Sequence, residues 1–357
     1  MKKRISRGTL TIKADGSPFQ VGFTYGEKAR DKILQNITRY RNILQLTTGY
    51  SWEKLNEMSK KGSEEIRSFN EKALQVMEGI SQGAKIPLED IITLNYRYEL
   101  LFSQRSSCTS IGVQTENLSL VAQNWDLHKD IEDGIINLEF KVNNHPKVFT
   151  QVEAGSLAHR GLNSEGIALC INALKSKEDG HQLNVPLVSV LGWTVLNSSN
   201  LTRALEWIQE SKRSSSINYL MARKELLVDI EITPKDFEYI EPSEHGLISH
   251  TNHFLCSRFK NLENNLSMCS WLRQLRVNHL TKKQEYKLDI EGVKSILKDH
   301  FDYPYSICRH TTNEQGINGA SKTLASTIID INRSEVHYTI GNPCLSEYKK
   351  IVILKKT

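Results

Sequence analysis

The chain has no uninterrupted apolar run of about 18 residues, the least that a bilayer-crossing helix needs, so neither a membrane span nor a membrane partner is expected. It has no C-x-x-C pair. Its 6 cysteines, Cys108, Cys170, Cys256, Cys269, Cys308 and Cys344, lie far apart, which argues against a zinc ribbon or a dense disulfide framework and makes most of them small buried hydrophobes. It has no strong excess of charge of one sign: the net charge is +5 and the basic residues are scattered, so no nucleic-acid partner is expected. No histidines stand at H-x-x-x-H or H-E-x-x-H spacing and no acidic loop resembles a calcium site, so no metal site is expected. Gly22 and Gly26 lack the Lys-Ser/Thr that follows in a phosphate-binding loop and are read as small residues that let two helices approach. After Met1-Lys2-Lys3-Arg4, polar Ser6, Arg7, Thr9, Lys13 and Asp15 stand where a signal peptide needs an apolar stretch, and the expected location is cytoplasmic.

What is present suffices for a sizeable core, with 39% hydrophobic and 24% charged residues. No repeat, low-complexity tract or linker divides the chain, so a single domain over residues 1–357 is expected. Ile33, Ile37, Tyr40 and Leu44 repeat at helical spacing, as do Ile66, Phe69, Ala73, Met77 and Ile80, each set marking a helix with one buried stripe. Gly83 is placed to end the second helix. Pro87 suits the first turn of a third, which carries Ile91, Asn95 and Tyr98 on one face and runs out near Phe102. From Cys108 the period changes to short β-type segments at 110–113, 118–124, 135–142, 148–152 and 166–171, split by turn residues such as Asn163-Ser164-Glu165-Gly166. Helical patterns return at 186–212 and 285–301, with strands at 227–232, 237–240, 246–250, 324–331, 336–340 and 351–354. Strands and helices in runs, without strict alternation, predict α+β layers.

The stretch "RSSCTSIGV", residues 105–113, puts a lone cysteine at the start of a predicted strand. If the Ser107–Cys108 bond were cut, Cys108 would carry both a nucleophilic thiol and a free α-amine, a base with a reference pKa of about 7.7–8. Taken alone, a buried structural thiol accounts for such a cysteine equally well.

Read together, "FQVGFTYGEKA" (19–29), "SSCTSIGV" (106–113), "VAQNWDLH" (121–128), "GLNSEGIALCINAL" (161–174), "SSSINYLMA" (214–222), "DIEITP" (229–234), "ISHTNHFL" (248–255), "SICRH" (306–310), "TLASTIIDI" (323–331) and "GNPC" (341–344) resemble the acyl-CoA:6-aminopenicillanate acyltransferase (isopenicillin-N acyltransferase) family of self-cleaving N-terminal-nucleophile hydrolases. The resemblance implies an αββα sandwich of two antiparallel sheets. It implies a precursor that cuts itself before Cys108, leaving a helical chain of residues 1–107 and a catalytic chain of residues 108–357 that stay associated.

Carried over by position, Cys108 matches the nucleophile, Asp126 the active-site aspartate and Asn252 the active-site asparagine. Asp126 is expected to orient the Cys108 amine, and Asn252 to donate to an oxyanion. Ser107 and Ser110 are expected to take part in autocleavage, although the family commonly has glycine where Ser107 stands. The expected reaction is amide hydrolysis or N-acyl transfer on small acylated amines or amino acid conjugates, with no cofactor and with acyl-CoA as a possible acyl donor; an uncleaved binding protein on the same fold is the alternative. Without the resemblance, Asp126 and Asn252 would read as turn residues. His250, His253 and His310 offer a papain-like partner for Cys108, which an N-terminal nucleophile does not need. Arg309 is a candidate substrate-binding residue or half of an ion pair, and Asn172 within "CINAL" reads as a buried polar group with a partner.

Overall fold

The computed structural model describes residues 9–101, 107–180, 188–264, 267–312 and 320–353; Phe102, Arg105, Ser106, Leu354, residues 1–8 and the start of the pattern at 186–187 lie outside them. The chain opens with β1 (Thr11–Gly16), then α1 (Pro18–Thr48), α2 (Trp52–Lys60), α3 (Gly62–Ala84), α4 (Leu88–Asn95) and α5 (Arg97–Leu100). Ser17 caps α1 in a capping box, its side chain accepting from Gln20 N while Gln20 reaches back to Ser17 N. The predicted stripe of Ile33, Ile37, Tyr40 and Leu44 is the buried face of α1.

Four glycines set the distance between α1 and α3. A methyl group added to Gly22 would fall 2.0 Å from Val76 O, and one on Gly79 would fall 2.2 Å from Phe19 O, so the two backbones touch. Gly26 and Gly83 repeat the arrangement one turn on. Gly83 therefore packs helices instead of ending one: α3 runs on to Ala84, and Lys85 takes the left-handed position at φ 56°. The third helix predicted as one piece is two, with Tyr96 between α4 and α5 and Pro87 just before the first helical residue.

The sheets follow. β2 (Ser107–Gln114), β3 (Ser119–His128), β4 (Ile135–Val142), β5 (Lys147–Glu153), β6 (Arg160–Asn163) and β7 (Ala168–Ala173) precede α6 (Val188–Leu196) and α7 (Leu201–Glu210). Then come β8 (Ile217–Arg223), β9 (Leu226–Ile232), β10 (Phe237–Ile240), β11 (Leu247–His250), α8 (Met268–Lys283), α9 (Ile290–Leu297), β12 (Ser321–Asp330), β13 (Glu335–Ile340) and β14 (Lys349–Val352). One sheet has the order β1-β4-β5-β6-β7-β8-β9-β10 and the other β11-β2-β3-β12-β13-β14.

Val121, Phe149, Leu162, Cys170, Leu220, Ile248 and Ile329 fill the space between the sheets. Helices α1 and α3 cover the larger sheet, sharing a core with Leu138, Phe140 and Val142. Val277, Val293, Ile296 and Leu297 from α8 and α9 cover the smaller one over Ile111, Val113 and Ile328. The architecture is the expected αββα sandwich. One feature departs from it: β1 pairs with β4 in parallel, so the larger sheet is not wholly antiparallel. β1, β6, β8 and α8 are absent from the periodicity reading, and the helix expected over 285–301 is confined to α9.

Candidate active site

β2 and β3 run antiparallel down the middle of the smaller sheet, with Cys108 opposite Trp125 and Ser107 opposite Asp126. The strand begins one residue earlier than predicted, so the Ser107–Cys108 bond is part of it. Cys108 is buried and lines a cavity. Its walls are mostly apolar, from Tyr40, Ile43, Leu101, Leu127, Ile131, Ile171 and Leu174. Polar groups enter at a few points: Asp179, Lys175, Ser215, and the buried Arg97–Glu153 ion pair at 2.8 Å.

The expected trio does assemble, and each member has a defined partner. The backbone N–H of Cys108 donates to Asn252 Oδ1 at 2.7 Å. Asn252 lies just beyond β11, its own N–H donating to Ser270 Oγ at 2.8 Å. Its Nδ2, the donor an oxyanion would need, donates to Ala173 O at 3.0 Å, so the asparagine here presents its oxygen to the Cys108 amide. Asp126 is fully buried. Its Oδ1 accepts from Thr323 Oγ1 of β12 at 2.7 Å, whereas Oδ2 has no hydrogen-bond partner among the described residues.

A residue missed in the sequence completes this group. Arg273 of α8 donates to Cys108 O at 2.5 Å, to Thr109 Oγ1 at 2.8 Å and to Asn252 Oδ1 at 2.9 Å. Its guanidinium fork thereby fixes the carbonyl of the cysteine and the amide that faces the cysteine nitrogen. A second missed pair lies behind Trp125: His159 stacks on its ring at 4.8 Å and Arg160 on it at 4.4 Å. Burial, reinforced by the Arg160 charge, holds His159 neutral, well below the usual imidazole range.

The electrostatics follow from burial. Desolvation, with the Asp126 charge second, pushes the Cys108 thiol up to about 12. Desolvation also raises the Asp126 carboxyl to about 6, against the opposing pull of Arg273, the Thr323 hydrogen bond, Arg309 and His310. Near neutral pH the site therefore holds a protonated thiol beside an ionised carboxylate.

The remaining candidates fall into place around this centre. Ser110 lies on the same strand face as Cys108, and its hydroxyl donates to Asn172 Oδ1 at 2.8 Å; Asn172 in turn donates to His250 O at 3.1 Å. Arg309 does not line the cavity. It is buried, donates to Ser107 Oγ at 3.3 Å and lies over the Tyr305 ring at 4.8 Å, so its side chain meets the residue before the predicted cut. None of the three histidines pairs with Cys108. Burial alone would lower His250, but Asp229 and Glu231 outweigh it and raise it to about 9, with Nε2 2.8 Å from Glu231 Oε1. His253 meets Ser270 and Thr251. His310 belongs to a separate cluster with His300, Cys308 and Cys344, which local histidine spacing did not reveal.

Cys108 thus lies on an inner strand of the smaller sheet, its amide facing Asn252 and Asp126 paired across the ladder with Ser107. The family described as acyl-coenzyme A:6-aminopenicillanic acid acyl-transferase matches residues 113–344, and the chain belongs to it. The chain is 25% identical over 341 residues to the acyl-coenzyme A:6-aminopenicillanic-acid-acyltransferase 40 kDa form of Emericella nidulans, covering 94% of this chain and 93% of that one. Among solved structures it is similar to penicillin V acylase from Agrobacterium tumefaciens, at 10% identity and a TM-score of 0.45 over 65% of this chain and 82% of that one. It is also similar to a conjugated bile acid hydrolase from Clostridium perfringens, at 12% identity and a TM-score of 0.43 over 70% and 97%. Family membership makes the chain an enzyme of the acyl-transfer class. Among the described residues, no helix is long and apolar enough to cross a membrane.

Proposed function

We propose that the chain is a self-processing cysteine enzyme that makes or breaks amide and thioester bonds through an acyl group carried on Cys108. The observation that carries this reading is the Cys108 amide, held 2.7 Å from Asn252 Oδ1 and clamped through its carbonyl by Arg273, on the wall of a mostly apolar cavity.

In the first stage Asp126 takes the thiol proton and Sγ attacks the Ser107 carbonyl carbon. The Ser107–Cys108 C–N bond breaks, the nitrogen leaves as a protonated amine, and Ser107 is joined to Cys108 as a thioester. Water then hydrolyses the thioester, leaving a Ser107 carboxylate and a free thiol. In the second stage the new α-amine, held by Asn252 Oδ1 and the unpartnered Asp126 Oδ2, is the base that serves the thiol against substrate. An amide or acyl thioester loads its acyl group onto Cys108; transfer to water is hydrolysis and transfer to an amine is N-acyl transfer.

The apolar walls suit the acyl portion of the substrate, and the few polar groups suit a small acylated amine or amino acid conjugate. An acyl-CoA fits the same scheme as a donor, as the name of the Emericella nidulans relative indicates for that enzyme.

The test is the intact mass of the purified protein beside a Cys108→Ala control. A cut before Cys108 divides the 40.8 kDa chain into pieces of about 12 and about 29 kDa, by 107 and 250 of 357 residues. Both pieces in the native protein and neither in the control, followed by turnover of acylated amines or acyl thioesters, is the expected result. One uncut species in both removes the α-amine from the mechanism and makes the chain a binding protein on this fold.

A further inference from the structure

Two chain segments bring together four side chains of metal-binding chemistry. His300 follows α9, Cys308 and His310 lie on the segment after it, and Cys344 sits in the turn between β13 and β14. Their sequence pattern is H-x7-C-x-H-x33-C, which matches no short metal motif. In space all four donor atoms lie within 4.8 Å of one another.

Four of the six separations are close to those of a tetrahedron. A four-coordinate zinc ion, with Zn–S of about 2.3 Å and Zn–N of about 2.0–2.1 Å, requires about 3.8 Å between sulfurs, about 3.3 Å between nitrogens and about 3.6 Å between unlike donors. The two sulfurs are 3.5 Å apart and the two Nε2 atoms 3.1 Å apart. Cys344 Sγ and Cys308 Sγ are 3.4 and 3.7 Å from His310 Nε2. A disulfide, at about 2.0 Å, is not formed, and both cysteines are free. Asn342 Nδ2 points at Cys308 Sγ at 3.5 Å while also donating to Arg309 O at 2.6 Å, the kind of outer contact that orients a thiolate ligand. Cys308 is buried and His300 is exposed, which leaves the ion a route in from solvent.

We propose that His300, Cys308, His310 and Cys344 bind one zinc-class divalent cation as a closed structural site. Both imidazoles bind through neutral Nε2 and both cysteines as thiolates, their two protons passing to solvent, so ion and ligands together are electrically neutral. The ion ties the segment that carries Arg309 to the β13–β14 turn, and Arg309 is the side chain that reaches Ser107.

The experiment uses full-length protein purified without chelator and dialysed against metal-free buffer. The expected result is stoichiometric zinc by elemental analysis, retained in Cys108→Ala and lost in Cys344→Ser. The exposed position of His300 makes His300→Ala a second variant that keeps its fold by circular dichroism, and its zinc affinity falls by at least tenfold. Apoprotein given Co²⁺ should develop the visible bands of tetrahedral thiolate-ligated cobalt, which requires no substitution. Absence of both zinc and that spectrum in protein with all its thiols reduced would overturn the site. So would a Cys308–Cys344 disulfide in protein kept under reducing conditions, or zinc that survives in Cys344→Ser and disappears in Cys108→Ala.

Discussion

Burial is the dominant force on the Cys108 thiol, which it holds protonated up to about pH 12, so the thiol becomes a nucleophile only when a neighbouring base accepts its proton. In the proposed mechanism the uncut chain uses Asp126 as that base, a carboxyl raised by burial to about 6 and faced by Arg273 from α8 and by Arg309 and His310 from the segment before β12. Below that value the carboxyl is protonated and cannot accept; above it the carboxylate can. Processing of purified precursor should therefore speed up as pH rises through about 6 and then level off, followed by the disappearance of full-length mass after a pH jump. Asp126→Asn keeps the shape and the Thr323 hydrogen bond but removes the base, and should slow processing by about 100-fold or more without unfolding. Unchanged processing in that variant would remove Asp126 from the first stage. Cys108, Asp126 and Asn252 could be picked out because they fall in motifs that resemble a family. Arg273 could not: it lies in no quoted motif, and its contacts come from two distant segments of chain, at Cys108–Thr109 and at Asn252. Arg309 was singled out as a charge, but a sequence has no means of saying that it points at Ser107 and away from the cavity.

Elements differed in legibility according to what their buried faces are made of. α1 and α3 carry aliphatic stripes and were found. α8 buries Ser270, Arg273, Gln274, Val277 and Thr281, which have helical spacing but mostly polar side chains, so a search for apolar periodicity passes over it. That polar face is what brings Arg273 to Cys108. A lysine in its place supplies one point charge and cannot serve Cys108 O and Asn252 Oδ1 together. Arg273→Lys should slow processing while the circular dichroism spectrum stays native, and normal processing would show that the fork is dispensable. β1 escaped for a different reason: only Ile12 and Ala14 face inward, too short an alternation to stand out. The glycine contact between α1 and α3 was read correctly from Gly22 and Gly26, and its tightness makes it testable. Gly22→Ala must push apart two backbones that leave no room for a methyl group, so stability should fall by about 1–3 kcal/mol, measured as a lower denaturation midpoint.

At the scale of the molecule, alternation and composition were enough to predict α+β layers, but not which strands are neighbours. The parallel β1–β4 pair joins segments more than 100 residues apart in sequence and is set by tertiary packing. That pairing decides what a cut before Cys108 would release. The described elements N-terminal to the cut are bound to the rest by contacts that the cut does not touch. β1 is hydrogen-bonded along its length to β4, and α1 and α3 share one apolar core with the larger sheet. The buried Arg97 carries two hydrogen bonds to Glu153, at 2.8 and 3.1 Å. Asn36 donates to Ala154 O at 3.0 Å, and Asn95 to Gly155 O at 2.8 Å. The two chains should therefore elute together from a sizing column at the volume of the uncut protein and unfold in one transition, separating only in denaturant. Residues 108–357 expressed alone would expose the sheet face that α1 and α3 cover and should be insoluble unless residues 1–107 are supplied. Independent elution of the two pieces under native conditions would mean that the N-terminal segment is a detachable propeptide instead of half of the enzyme's core.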